Sequence, residues 1–317
     1  MNFTLKQLRY FVLSAELKSV TRASQKANIS QPSISAAIAE LEAALDTKLF
    51  TRHHAKGLSL TAIGHQVFAE AKRLLAQADR FGQMTNEFVK GLSGTLEVGC
   101  LLTLAPLVMP SLMKSIRAHY PNLTVGCREL DVKEVVEGLR EGAFEIAITY
   151  NLNLEADISF YGVRSFPPYA LLSRQHPLTQ HARVNLRMLA DEPMILLDLP
   201  YTRDYFQSIF ESAGIAPNIV YRTTSPQMVR SMVASGMGYS ILNARPPWRH
   251  SFDDHQYAIV ELSERLPTLR MGLVHLKDHV FTRAAQIVIK EFEMQNTGRR
   301  LGTTDSDAAS TTPLPLV

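Results

Sequence analysis

Between Thr61 and about Leu92, the residues Val67, Ala71, Leu74, Ala78, Phe81, Thr85 and Phe88 recur at intervals of four, three, four, three, four and three. That is a heptad seam, and only an α-helix keeps such a series on one face. Roughly thirty residues at about 1.5 Å each span about 45 Å, longer than one small domain needs. The helix therefore divides the chain into a part before it and a part after it. Alanines within the seam suit close approach of a second helix, so 61–92 is expected to be a linker and dimerisation helix. The alternative is a helix lying on its own chain's core.

The part before it reads as short helices. Residues 4–15 place Leu5, Leu8, Phe11 and Val12 on one side, and Ser19 can cap a second helix, "VTRASQKA", that stops near Asn28. Ser30 suits an N-cap, and Pro32 then falls in the first turn, where its missing N–H costs nothing. A third helix should begin at about Gln31, with Ile34, Ile38, Leu41 and Leu45 forming one apolar stripe. Its other surface is kept slim by Ser33, Ser35, Ala36, Ala37 and Ala39. Two helices, a tight turn and a slim third helix make a helix-turn-helix pattern. Short side chains let such a helix lie deep in the major groove, where Gln31 and Ser33 can hydrogen-bond to base edges. An ordinary amphipathic surface helix would show the same stripe. In "DTKLFTRHHAKGLSL", Leu49, Phe50, Leu58 and Leu60 flank a polar loop with Arg52, His53, His54 and Lys56. It reads as a β-hairpin wing with a cationic tip suited to phosphates. The two adjacent histidines lack further ligands at suitable spacing, so they are expected to be solvated and not to hold a metal.

After Leu92-Ser93-Gly94 the pattern changes to strands alternating with helices. "TLEVGC", "LTVGCREL" and "FEIAITY" read as strands around helices from Leu104 to Tyr120 and Val132 to Glu141, a βαβαβ unit with a parallel sheet. A second series starts near Val163, with strands "YALLSRQHPL", "PMILLDL", "NIVYRT" and "GYSILN" and helices Thr202 to Ala213 and Pro226 to Ser235. "TLRMGLVHL" and a helix from Phe281 to Met294 close the chain, and the polar, turn-rich residues 297–317 are expected to be disordered.

Composition narrows the function. Residues 1–92 hold 12 Lys and Arg against 7 Asp and Glu, whereas the remainder is slightly acidic, so a polyanionic partner is expected at the front. The N-terminus lacks an apolar signal core, and no run approaches the length of a membrane span, which predicts a cytoplasmic protein with no membrane partner. Cys100 and Cys127 cannot form a disulfide framework; both sit in apolar strand patterns and are expected to be inert. No P-loop, metal cluster, nucleophile elbow or paired acidic motif is apparent, so no enzyme activity and no cofactor are expected.

In this order the segments resemble a LysR-type transcriptional regulator up to about residue 295. The most specific matches are "LRYF", "SVTRASQKANISQPSIS", "LEAAL", "KLFTR" and "LSLTAIG", followed by "HYPNL", "LREGAFEIAIT" and "VRSMVASGMGYSIL". The resemblance implies an α/β protein with a winged helix-turn-helix at 1–60, the linker helix at 61–92 and an effector-binding domain at 93–296. That domain would hold two subdomains resembling a periplasmic binding protein, one of 93–162 with 267–296 and the other of 163–266, around a ligand cleft. Double-stranded DNA, a small anionic effector such as an organic acid, a homodimer or homotetramer and RNA polymerase are the partners it implies.

By the same resemblance Ser30, Gln31, Pro32, Ser33 and Ser35 meet the DNA, with Arg52, His53 and Lys56 in the wing. Three positions depart from the usual pattern: Ala36 stands where an arginine is frequent, Ser24 and Ala27 replace an alanine and a leucine, and Asp46 replaces a glycine. Losing the arginine shifts recognition onto Gln31, the serines and the wing. In the effector part, Leu101, Leu102 and Thr103 are implied to line the cleft with Val132 and Tyr150. Facing them would be Tyr201, Thr202, Arg203 and Ser225 at two helix N-termini, where unpaired amides favour an anion and Arg203 could clamp it. Helix capping alone would account equally for Thr202 and Ser225. A solute-binding protein with this cleft is the competing function, and the missing export signal argues against it.

Overall fold

The computed structural model describes residues 2–53, 57–90, 92–246 and 256–297. It forms two compact units, one of residues up to 90 together with 140–143, the other of 92–139 and the described residues from 144 on.

In the N-terminal unit, α1 (Leu5–Glu16) starts in a capping box: the Thr4 hydroxyl accepts from the Gln7 amide, and the Gln7 side chain accepts from the Thr4 amide. Ser19 caps α2 (Val20–Ala27), which ends on Asn28 in the left-handed region. Ser30 accepts from the Ser33 amide to open α3 (Gln31–Ala44), with Pro32 in its first turn, as the residues predict. Ile34, Ile38 and Leu41 are buried with Phe11, Ala23 and Leu49, and the Phe11 and Phe50 rings meet edge to face at 5.2 Å. β1 (Phe50–His53) and β2 (Gly57–Leu60) pair antiparallel as the wing.

Glu42 fixes the wing to α3. Its buried carboxylate accepts from the Leu49 amide at 2.8 Å, the Phe50 amide at 3.2 Å and Lys48 Nζ at 2.8 Å. Burial raises its pKa, but these donors outweigh it and hold the carboxyl below its ordinary value. Thr61 caps α4 (Ala62–Lys90) by accepting from the Gly64 amide, and a Cβ on Gly64 would lie 2.1 Å from the Leu49 carbonyl oxygen, so only glycine fits there.

Part of the α4 seam packs on its own chain. Ala71 is buried against the N-terminal core, with Val67 and Leu74 packed beside it. The first half of the helix thus lies on its own unit, which a purely intermolecular seam does not provide for. Phe81 is 72% exposed. The side chains of Thr85 and Phe88 lie outside the described residues.

The second unit begins with β3 (Gly94–Leu101), α5 (Ala105–His119), β4 (Leu123–Leu130), α6 (Val132–Arg140) and β5 (Ala147–Tyr150), three parallel strands as expected. β6 (Ile158–Phe166) is one long strand where the sequence pattern shows none of that extent. It pairs along its length with the returning β13 (Leu269–Leu276), giving a five-stranded sheet of order β4-β3-β5-β13-β6, so the first lobe's sheet runs on to Phe166. The second lobe holds β7 (Tyr169–Ser173), β8 (Arg183–Val184), β9 (Met194–Leu197), α7 (Thr202–Ser212), β10 (Ile219–Thr223), α8 (Pro226–Ala234), β11 (Ser240–Leu242) and β12 (Tyr257–Leu262). Its strands order as β11-β7-β12-β8, and the parallel pair β10-β9 joins them through a bridge between Met194 and Tyr239. The chain crosses between lobes twice, after β6 and before β13. α9 (Arg283–Thr297) packs on the first lobe, and residues 298–317, where the disordered tail is expected, lie outside the described residues.

Buried Glu145 anchors α9. It accepts from the Thr282 amide and hydroxyl at 2.9 Å each, and its Oε2 lies 3.3 Å from His279 Nε2. Burial raises the pKa of this carboxyl, yet the His279 and Thr282 hydrogen bonds win and hold it below the ordinary value.

Candidate DNA interface and ligand cleft

Because Ile34, Ile38 and Leu41 turn inward, the N-terminal turn of α3 faces out: Ser30, Gln31, Pro32 and Ser33 are exposed, and Ser35 is half-buried. Ser30 is occupied by capping, and its hydroxyl also lies 2.7 Å from that of Ser33. Thr21 on α2 donates its hydroxyl to Gln31 Oε1 at 3.3 Å, which aims the side chain and leaves its NH2 group for a base acceptor. Arg52 and His53 stand in β1; their side chains, and Lys56 entirely, lie outside the described residues.

In the second unit, the interlobe cleft narrows to a cavity of about 20 Å³, room for one water. Its walls are largely apolar, with Leu197, Phe206, Leu242 and Leu269 among them. Thr103 follows β3, Tyr150 ends β5, Thr202 opens α7, Arg230 sits on α8 and Asn243 follows β11. Arg230 Nε and Asn243 Oδ1 are buried with no hydrogen-bond partner among the described residues, and the buried Thr103 and Tyr150 hydroxyls have only each other. Two unpartnered groups at one cavity are unusual, because a buried polar group without a partner is destabilising. Burial also pushes the Tyr150 phenol well above its ordinary pKa, so it stays protonated.

The orientation of Asn243 is fixed by chemistry. Its Nδ2 donates to the Phe166 carbonyl and to the Tyr205 hydroxyl, each at 2.8 Å, while Tyr205 donates to the Pro267 carbonyl at 2.8 Å. Phe166 offers only an acceptor and the tyrosine proton is already committed, so the NH2 must face them and Oδ1 must face the cavity. Residues flanking both lobe crossings thus set this acceptor.

Of the residues implied from sequence, Thr103, Tyr150 and Thr202 line this cavity. Leu101 and Val132 are core residues, 2% and 1% exposed, and Leu102 and Tyr201 are half-buried beside the core. Ser225 spends its hydroxyl on capping α8, accepting from the Met228 amide at 3.2 Å. Arg203 is placed differently from the expected clamp: it is ion-paired with Asp198 and lines another cavity. The reason is helical phase. Thr202 and Phe206, four apart, share one face of α7, and Arg203 turns to the next. Arg230 and Asn243 went unrecognised in the sequence, although an arginine within "MVRSMV", beside buried Val229 and Val233, was a signal.

The two thiols lie on neighbouring strands, but Cys127 pairs with Val98 and Cys100 with Glu129, so they are diagonal. The hydrogen bond to Cys127 and burial raise the pKa of Cys100, whereas the same hydrogen bond lowers that of half-buried Cys127.

A helix-turn-helix with a wing, followed by two α/β lobes closing on a cleft, is the architecture of a transcriptional regulator with separate DNA-binding and effector-binding domains. Comparison gives the family. Residues 5–65 match the profile of the bacterial regulatory helix-turn-helix protein, lysR family, and residues 90–295 that of the LysR substrate binding domain. The chain belongs to the LysR family of transcriptional regulators. It is similar to HinK, a LysR family transcriptional regulator from Pseudomonas aeruginosa, at 35% identity and a TM-score of 0.61, covering 92% of this chain and 98% of that one. The uncharacterized HTH-type transcriptional regulator YvbU of Bacillus subtilis is 31% identical over 76% of this chain and 81% of its own length. A full-length OxyR variant from Pseudomonas aeruginosa, at 24% identity, TM-score 0.72 and coverage of 94% and 100%, shares the fold.

Proposed function

We propose that the effector of this regulator is a small organic anion held between the lobes, and that its binding changes how α3 and the wing engage promoter DNA. The observation that carries the reading is Arg230. It is 9% exposed, its Nε is unpartnered, and no ion pair reaches it among the described residues. Arginine is rarely buried without a counter-charge, so a carboxylate supplied by a ligand is the natural complement. The N-terminus of α7, which starts with no side-chain cap, adds its dipole on the same cavity. Asn243 Oδ1 needs a donor, which favours an acid that also carries a hydroxyl or N–H group.

The cavity as it stands is too small for such a molecule, so the lobes part at the two crossings to admit it. The ligand then acts through its different affinity for the open and closed arrangements. On the DNA side, Gln31 and Ser33 read bases while Arg52, His53 and Lys56 hold the backbone. Pairing through the outer half of α4 gives a dimer or tetramer, working in the cytoplasm with RNA polymerase as a further partner. The test is calorimetric titration of the full chain with a panel of hydroxy, amino and simple carboxylic acids, followed by DNA binding with and without each binder. A hydroxy or amino acid that binds and shifts DNA affinity supports the reading; binding only by neutral or cationic compounds overturns it.

A further inference from the structure

The face of α7 turned away from the cleft borders a second and larger cavity, of about 490 Å³, within the range of about 300–1,000 Å³ usual for small-molecule sites. Its floor is apolar: Leu196 on β9, Phe206 and Phe210 on α7, and Ile219 on the β10 edge. Its rim is charged. Asp198 pairs with Arg203 and, at 3.5 Å, with Arg222, so one carboxylate is shared by two guanidinium groups. The two arginine side chains are 53% and 52% exposed, and among the described residues their ten N–H donors face only the two oxygens of Asp198 in ion pairs.

We propose that this cavity is a second small-molecule site, for an amphipathic organic monoanion whose ring or branched chain rests on the floor and whose anionic group bridges Arg203 and Arg222. The surplus positive charge at the rim selects a single negative charge. Asp198 keeps the two arginines from repelling each other and aims both at the mouth, which orients the ligand with its apolar end inward. Phe206 lines this cavity and the cleft alike, so its ring is a shared wall. Ligand here that presses on the ring alters the cleft, and that regulatory consequence rests on the effector reading above; the binding itself does not.

The test uses 1-anilinonaphthalene-8-sulfonate, an aromatic monoanion whose fluorescence rises in apolar surroundings, titrated into the full-length chain. One saturable site per chain is expected. Arg222→Glu, which reverses a charge at the exposed rim, should weaken binding by about ten-fold or more. Ile219→Trp, which fills the cavity from the edge strand, should abolish it. Far-ultraviolet circular dichroism and the unfolding midpoint of each variant show whether it is folded, and two unrelated substitutions guard against failure of either. A probe bound in the interlobe cleft would be insensitive to Arg222→Glu, whose side chain does not line the cleft. Unaltered binding by both folded variants, or no saturable binding by the wild-type chain, overturns the proposal.

Discussion

Replacing Arg230 by methionine separates the two demands on that position. Methionine keeps a long unbranched stem and suits a helix, so the packing of α8 is retained while the charge and the unpartnered Nε are removed. A buried unsatisfied donor costs about 1–3 kcal/mol, so Arg230→Met is expected to make the ligand-free protein more stable. Each kcal/mol moves the melting midpoint of a unit this size by about 2–4 °C. Ligand binding should move the other way. Losing a charge-assisted hydrogen bond worth about 1.5–3 kcal/mol weakens an anion by about 10- to 100-fold. At a concentration of about 100 Kd, an organic acid stabilises the wild type by about 2.7 kcal/mol, and the same concentration stabilises the variant by only about 0.4–1.4 kcal/mol. Differential scanning calorimetry with and without the acid measures both quantities on the full chain. A variant that melts lower than wild type when ligand-free, yet keeps the full ligand-induced rise, would refute the view that this arginine waits for an anion.

Other substitutions address the remaining elements. Gln31→Ala should cost about 1–3 kcal/mol of discrimination at one base pair, whereas Arg52→Ala should weaken every sequence alike and lower the salt slope by about one, both read by fluorescence anisotropy on matched and mismatched duplexes. Glu145 has its folded pKa depressed, so its stabilisation is present above the ordinary carboxylate value and is lost as pH falls through the depressed one. Glu145→Ala should therefore destabilise the effector domain by about 1–3 kcal/mol at neutral pH, a difference that shrinks in acid; a gap independent of pH in denaturant titrations would count against that role. Under native conditions iodoacetamide should alkylate Cys127 and spare buried Cys100, with peptide mass spectrometry as the readout and preferential labelling of Cys100 as the contrary result.

What was legible in the sequence is what local chemistry decides. α3 begins at Gln31 because a serine cap and a first-turn proline act within a few residues, and β4 falls on Leu123–Leu130 because its alternation is bounded by a turn. Pairing between distant segments was harder to read. β6 gains its extent from β13, far along the chain, and β12 from β7, and neither partner leaves a mark on the strand itself. In the cleft, Thr103 and Thr202 stand at element ends, where position alone suggests a role. Arg230 lies within a helix, and only packing shows that its neighbours leave Nε unpartnered. Arg203 could have been placed correctly from the helical period, since Phe206 shares the face of Thr202, while Phe210 lies seven residues beyond Arg203 on the other cavity's face.

DNA reading by the exposed leading turn of α3 and the wing is open to direct measurement. Selection of binding sites from a random duplex library by the full-length protein, followed by anisotropy at about 0.15 M salt, tests it most directly. A recurring motif bound at least about 10³-fold more tightly than scrambled duplex, with the preference at one base pair lost in Gln31→Ala, is the predicted result. Enrichment of no motif, with equal affinity for all duplexes, would contradict it.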